Sequence, residues 1–132
     1  MEENDPNQRN SRGESPLHLA ARLCFEGGMA LLIENGADVN VKDGLGYTPL
    51  HTVCVSSSGS DSAADCARLL LEAGAYCDEP DIEGVTPLLL AAREGAVELV
   101  SQLLRAGASR TAMDHGGNTA LHVAAVSSGQ AT

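Results

Sequence analysis

Four histidines and four cysteines are the residues of this chain best suited to chemistry, so their spacing comes first. His18, His51 and His122 share one local context: Ser15-Pro16-Leu17-His18, Thr48-Pro49-Leu50-His51 and Thr119-Ala120-Leu121-His122. A histidine that returns in the same setting is a repeated structural device, not one metal centre or one catalytic base. His115 stands apart beside Asp114 and is expected at the surface. Cys24, Cys54, Cys66 and Cys77 lie 30, 12 and 11 residues apart with no Cys-x-x-Cys, so they match no zinc pattern and read as reduced thiols. Gly44-Leu45-Gly46 opens a phosphate-loop pattern, but Pro49 occupies the third glycine's place. Gly13-Glu14-Ser15 opens a nucleophile elbow, but Leu17 stands where glycine is needed. No catalytic residue, metal ligand or cofactor site is expected.

The elements that position these residues are repetitive. Gly13-Glu14-Ser15-Pro16-Leu17-His18 returns as Gly46-Tyr47-Thr48-Pro49-Leu50-His51, Gly84-Val85-Thr86-Pro87-Leu88-Leu89 and Gly117-Asn118-Thr119-Ala120-Leu121-His122, at intervals of 33, 38 and 33 residues. Gly36-Ala37, Gly74-Ala75 and Gly107-Ala108 recur behind them. Ser15, Thr48, Thr86 and Thr119 are N-cap residues, because a hydroxyl there accepts an orphan N–H of the first helical turn. Pro16, Pro49 and Pro87 follow at the first helical position, where no N–H is needed. Gly36, Gly74 and Gly107 end the second helices, since glycine enters the left-handed region without strain. Asp43, Asp81 and Asp114 fall in matching turn positions of the connectors. The pattern predicts helix pairs over 16–24 with 28–35, 49–56 with 63–73, and 87–94 with 97–106, and a single helix over 120–127.

A 33-residue period carrying Thr-Pro-Leu-His-x-Ala resembles the ankyrin repeat, and the resemblance covers about residues 10–132. It implies an all-α solenoid of stacked helix-turn-helix units, with β-hairpin-like fingers projecting from them. The units are 13–45, 46–83, 84–116 and a partial 117–132, after a disordered acidic segment over 1–12. In this family the histidine bonds neighbouring turns and fingers, the fingers and first helices carry specificity, and the second helices form the back.

The chain departs from that pattern in five places. Gly27 and Gly28 at the start of the first unit's second helix cost roughly 1 kcal/mol each against alanine, so this helix is expected to start late. Val53-Cys54 replaces Ala-Ala. The run 56–62, rich in Ser, reads as an inserted flexible loop, with Ser62 and Asp65 as a cap for the next helix; Ser58-x-x-Asp61 within it is an acid-directed phosphorylation pattern. Leu89 replaces the histidine, removing one hydrogen-bonding network. The partial fourth unit leaves the apolar side of the third poorly covered.

Charge and composition bound the partners. Eighteen acidic residues against eight basic give a net charge of −10, which disfavours nucleic acid. The longest apolar stretch, Val85 to Ala92, is broken by Thr86 and Pro87 and is far too short to cross a bilayer. Without a signal-peptide pattern at Met1-Glu2-Glu3-Asn4-Asp5, a cytoplasmic or nuclear monomer is expected. The function implied is a protein-interaction module: an adaptor, scaffold or regulatory inhibitor that binds a protein partner, one with a basic segment included. Its contact residues would be Lys42, Leu45, Tyr47, Glu79, Ile82, Glu83, Met113 and His115. A structural spacer and a substrate-recruiting fragment of a ubiquitin-ligase adaptor are the alternatives. Leu32, Asp38, Val39 and Asn40 match the spacing favoured by the oxygen-sensing asparaginyl hydroxylase in this family, making Asn40 a candidate for hydroxylation. The simpler reading of Asn40 is a residue holding its turn through side-chain hydrogen bonds.

Overall fold

The described residues form seven helices, in three antiparallel pairs and a lone last helix. They are α1 (Pro16–Arg22) with α2 (Glu26–Glu34), α3 (Pro49–Val55) with α4 (Ala63–Glu72), α5 (Pro87–Arg93) with α6 (Val97–Arg105), and α7 (Ala120–Gly129). The computed structural model describes residues 5–57 and 62–129, and among these no strand occurs. The first helices stack in the order α1, α3, α5, α7, and the second helices in the order α2, α4, α6. Leu17, Leu50, Leu88, Leu89 and Leu90 fill the first layer, and Met29, Leu70, Leu99 and Leu103 the second, all essentially inaccessible to solvent. Small Ala20, Ala21, Ala91 and Ala92 let the layers approach.

The caps form as the residue types require. The hydroxyls of Ser15, Thr48 and Thr86 accept the N–H of His18, His51 and Leu89, with the cap residue extended and proline following. Gly46 shows why the unit opens on glycine. Its φ is +81°, and a Cβ there would lie 2.9 Å from the Ile82 nitrogen of the next connector. Cys24 breaks the same rule. It stands where the third unit has Gly95, and adopts φ +51° against +70° at that glycine. A side chain in this region costs about 1–2 kcal/mol relative to glycine.

Three expectations are corrected. The helix α2 does not start late: it begins at Glu26 and runs through Gly27 and Gly28. The Phe25 ring lies against Gly28 so closely that a Cβ would fall 2.6 Å from it, so the glycine makes room for the ring. Ser62 precedes α4 without a side-chain capping bond, and Asp65 pairs with Arg68 instead. Residues 5–12, assigned to a disordered segment, carry a defined hydrogen-bonded turn. Asn7 Nδ2 donates to the Gly36 carbonyl at 3.2 Å and its Oδ1 accepts the Asp38 N–H at 2.7 Å. Asn10 holds the turn by accepting the N–H groups of Arg12 and Glu14. Asn7 and Asn10 sit 33 residues before Asn40 and Asp43, so this segment is itself a connector of the repeat.

The inserted run begins in the fold. Ser57 is buried and its hydroxyl donates to the Cys54 carbonyl at 2.8 Å. Residues 58–61 of that loop, with the Ser58-x-x-Asp61 pattern, lie outside the described residues.

Candidate functional site

The connectors form a row of turns that project from the helices, and their geometry is built from one aspartate each. Asp43 accepts the N–H of Leu45 and Tyr47, Asp81 those of Glu83 and Val85, and Asp114 those of Gly116 and Asn118. At Asp114 the Asn118 N–H, more than any other group, lowers the acid below its ordinary range. Each turn then leans on the one before it through a single backbone bond. Gly44 N–H donates to the Arg12 carbonyl at 3.0 Å, Ile82 to Leu45 at 3.1 Å and His115 to Glu83 at 3.1 Å.

Two further contacts per repeat lock the row to the helices. His18 Nε2 lies 2.7 Å from the Tyr47 carbonyl, and His51 Nε2 lies 2.8 Å from that of Val85. A carbonyl only accepts, so Nε2 carries the proton and Nδ1 is left as acceptor. The Ser15 N–H donates to it at 3.1 Å in the first unit, and the Thr48 N–H at 3.1 Å in the second. Burial holds His51 below its ordinary pKa, so the ring is neutral in this network. The histidines are thus separate structural links that never converge on one centre. Leu89 breaks the series, and the Asn118 carbonyl has no such ring to meet it. Asn40 supplies the second lock: its Nδ2 donates to the Gly74 carbonyl at 3.2 Å and its Oδ1 accepts the Tyr76 N–H at 2.8 Å. Asp78 accepts the Ser109 N–H at 2.8 Å in the same place one repeat on.

The expected contact residues divide on this frame. Leu45, Ile82 and Met113 are 54%, 61% and 58% exposed on three successive turns, and Glu83 and His115 are exposed beside them. Lys42 and Glu79 face each other across adjacent turns at 2.6 Å, so Glu79 is an ion-paired acid rather than a free one. Tyr47 differs from expectation more sharply. It is half-buried, stacked on His51 with ring centroids 5.4 Å apart, and burial raises its phenol pKa. The ring covers the histidine link, so Tyr47 holds the fold as well as presenting an edge.

Sequence reasoning missed two features. Glu14 is buried, bonded by Asn10 Nδ2 at 3.0 Å and paired with Arg22, and the Asn10 bond is the main cause of its lowered pKa. Leu23, Phe25 and Leu31 form exposed apolar surface on the first unit; the Phe25-Glu26-Gly27-Gly28 departure was the available signal. The poorly covered end of the third unit is present as an apolar groove of about 820 Å3, lined by Leu88, Val97, Val100, Leu104, Ala120 and Leu121. No helix of the described residues is long and apolar enough to cross a membrane.

Comparison with known proteins agrees with this architecture. The family model described as "Ankyrin repeats (3 copies)" matches residues 1–81 and 60–132. The chain is 38% identical over 119 residues to Neurogenic locus notch homolog protein 1 of Xenopus laevis, covering 90% of this chain and 5% of that protein. It is 41% identical over 126 residues to Neurogenic locus notch homolog protein 2 of Homo sapiens, covering 95% of this chain and 5% of that one. The chain therefore spans about a twentieth of the length of these relatives. Ankyrin repeats are in general protein–protein interaction modules. With its stacked helix pairs, histidine links and projecting turns, this chain belongs to the ankyrin-repeat family.

Proposed function

We propose that this chain binds a protein partner on the face made by its projecting turns and first helices, acting as an adaptor, scaffold or regulatory inhibitor in the cytoplasm or nucleus. What supports this reading is the exposure of Leu45, Ile82 and Met113 on three neighbouring turns pinned to one another by backbone bonds. Apolar side chains held out on a rigid row and flanked by charge suit a partner that buries them. A rigid row also lowers the ordering cost of binding, which raises affinity without further contacts. Glu83 and His115 sit at the rim of this patch, where charge steers association more than it holds the complex. A basic segment in the partner would meet Glu83 more readily than Glu79, whose carboxylate already faces Lys42. The chain acts as a monomer in this reading.

Affinity capture with the purified chain tests it, paired with the same chain carrying Leu45→Asp and Ile82→Asp. One protein retained at stoichiometric yield by the first and lost by the second is the expected result. A partner retained equally by both would move the site off the turns, and no retained partner would favour a spacer.

A further inference from the structure

Leu121 holds the place that Leu17, Leu50 and Leu88 hold in the three units before it, yet those three are inaccessible to solvent and Leu121 is 79% exposed. The difference lies in what covers them. In the earlier units a second helix packs on the first helix of its own unit and on the second helix of the unit before: α4 lies on α3 and α2, and α6 on α5 and α4. The fourth unit has only α7 among the described residues. The groove of about 820 Å3 between Val97 and Val100 of α6 and Ala120 and Leu121 of α7 is therefore shaped as the seat of a second helix. Val100 repeats the contrast, being partly exposed where Met29 and Ala67 are fully buried.

Two polar groups at this seat define what fits it. Arg110 lines the groove in the place of Cys77, whose sulfur lies 3.8 Å from the carbonyl of Ala106 at the end of α6. A cation in that place meets the carbonyl end of a seated helix, where positive charge is favourable. His122 holds the place of His18 and His51. Its Nδ1 accepts the Thr119 N–H at 3.2 Å, so Nε2 carries the proton as in the earlier links. It has no acceptor among the described residues. A turn that follows a seated helix would offer it a carbonyl, as Tyr47 and Val85 do for His18 and His51.

We propose that this end of the solenoid is a docking site for a partner protein's amphipathic helix and the turn after it, which together take the second-helix place of the fourth unit. The helix turns apolar residues at i, i+3 and i+4 towards Leu121 and Val97, in the pattern of Cys66, Leu69 and Leu70 in α4. Its last turn carries no lysine or arginine, since Arg110 stands there. The site is separate from the projecting turns, so this inference does not rest on the reading of that face.

The probe is a labelled peptide with the sequence of residues 96–118, which holds α6 and the turn after it, titrated into the full chain by fluorescence anisotropy. It should bind one to one. Val97→Asp, at a position already 79% exposed, should weaken binding at least about tenfold at unchanged melting temperature. Arg110→Glu should weaken it about two- to fivefold. A peptide carrying Leu99→Asp and Leu103→Asp should not bind. The chain carrying Leu45→Asp and Ile82→Asp should bind the parent peptide as before, which separates this site from the turns. No binding by the parent chain, equal binding by the Val97→Asp chain, or equal binding of the substituted peptide would each overturn the proposal. So would a dimer of the chain in sedimentation that Val97→Asp dissolves, because a second copy would then be the occupant.

Discussion

Replacing His51 by leucine copies into the second repeat what Leu89 is in the third, and the structure sets the cost. His51 is fully buried, and His51→Leu removes its bonds to the Thr48 N–H at 3.1 Å and the Val85 carbonyl at 2.8 Å. The two losses are unequal. Val85 retains the Asp81 N–H as donor to its carbonyl at 2.9 Å, whereas the buried Thr48 N–H is left without this acceptor. A stranded buried group of this kind costs about 1–3 kcal/mol, and loss of the Tyr47 stacking contact about 0.5–1 kcal/mol more. The added apolar side chain offsets part of this, so a net loss of about 1–3 kcal/mol is expected. For a chain of this size that is a drop in melting temperature of about 4–10 °C.

The pH dependence supplies the sharper test. Burial lowers the native pKa of His51 below its ordinary 6.5, so between the two values the unfolded chain binds more protons. Stability therefore rises with pH across that window. The contribution of His51 is full above about pH 6.5 and is lost as pH falls through the native value. Thermal unfolding of both proteins, followed by circular dichroism from pH 8 down to about 5, should show the gap between them narrowing below about 6.5. A variant as stable as the parent at pH 7, or a gap that widens on acidification, would refute the neutral-link reasoning.

Four other outcomes follow from the same geometry. Ile82→Ala and Leu45→Ala should each cost about 1–3 kcal/mol of partner affinity by calorimetry at unchanged melting temperature, whereas Tyr47→Ala should lower both. The exposed Arg105 is the control for the back of the solenoid; Gln102 is unsuitable, because its Nε2 bonds the Ala64 carbonyl at 3.0 Å. Gly46→Ala should lose at least about 1–2 kcal/mol in denaturant unfolding, since its Cβ meets the Ile82 nitrogen. Deleting five residues from the inserted run beyond Ser57 should leave the melting temperature nearly unchanged; a large drop would mean that the run packs on the fold. Mass spectrometry of chain from oxygenated cells decides between the two readings of Asn40: an unmodified peptide leaves it its turn-holding role alone, and one added oxygen would mark hydroxylation.

The parts that the sequence made legible are those carried by one residue type in one local setting. A hydroxyl before proline caps a helix whatever surrounds it, and glycine after a leucine run ends one, so the seven helices could be placed to within about two residues. Contacts between repeats have no such local mark. Nothing in the spelling of residues 5–12 separates a polar tail from a connector until Asn7 and Asn10 are set against Asn40 and Asp43. Tyr47 was misjudged for the same reason, because its stacking partner becomes visible only when the histidine's direction is known. The Glu26-Gly27-Gly28 step looked like a weak helix start since helix propensity counts backbone freedom alone, and the Phe25 ring that needs the space is a packing fact.

The same distinction bears on how the candidate surface works. Between successive turns the described structure has a single backbone bond, a side-chain clamp of the Asn40 kind and, in two repeats, a histidine link. Any one of these would leave a turn free to pivot. Together they fix its height and direction relative to its neighbour, so Leu45 and Ile82 are held as one patch although 37 residues separate them in the chain. The row is least constrained where Leu89 replaces histidine. Met113 and His115 lie just beyond that step, on a turn that keeps its Asp114 bonds and the His115 to Glu83 bond. Leu89→His would offer the Asn118 carbonyl the missing donor. If the turn is looser for want of that bond, the substitution should slow amide hydrogen exchange over residues 112–119 and tighten binding through a slower dissociation rate. Unchanged exchange would mean that the Asp114 carboxylate and the His115 to Glu83 bond already hold the turn as firmly as its neighbours.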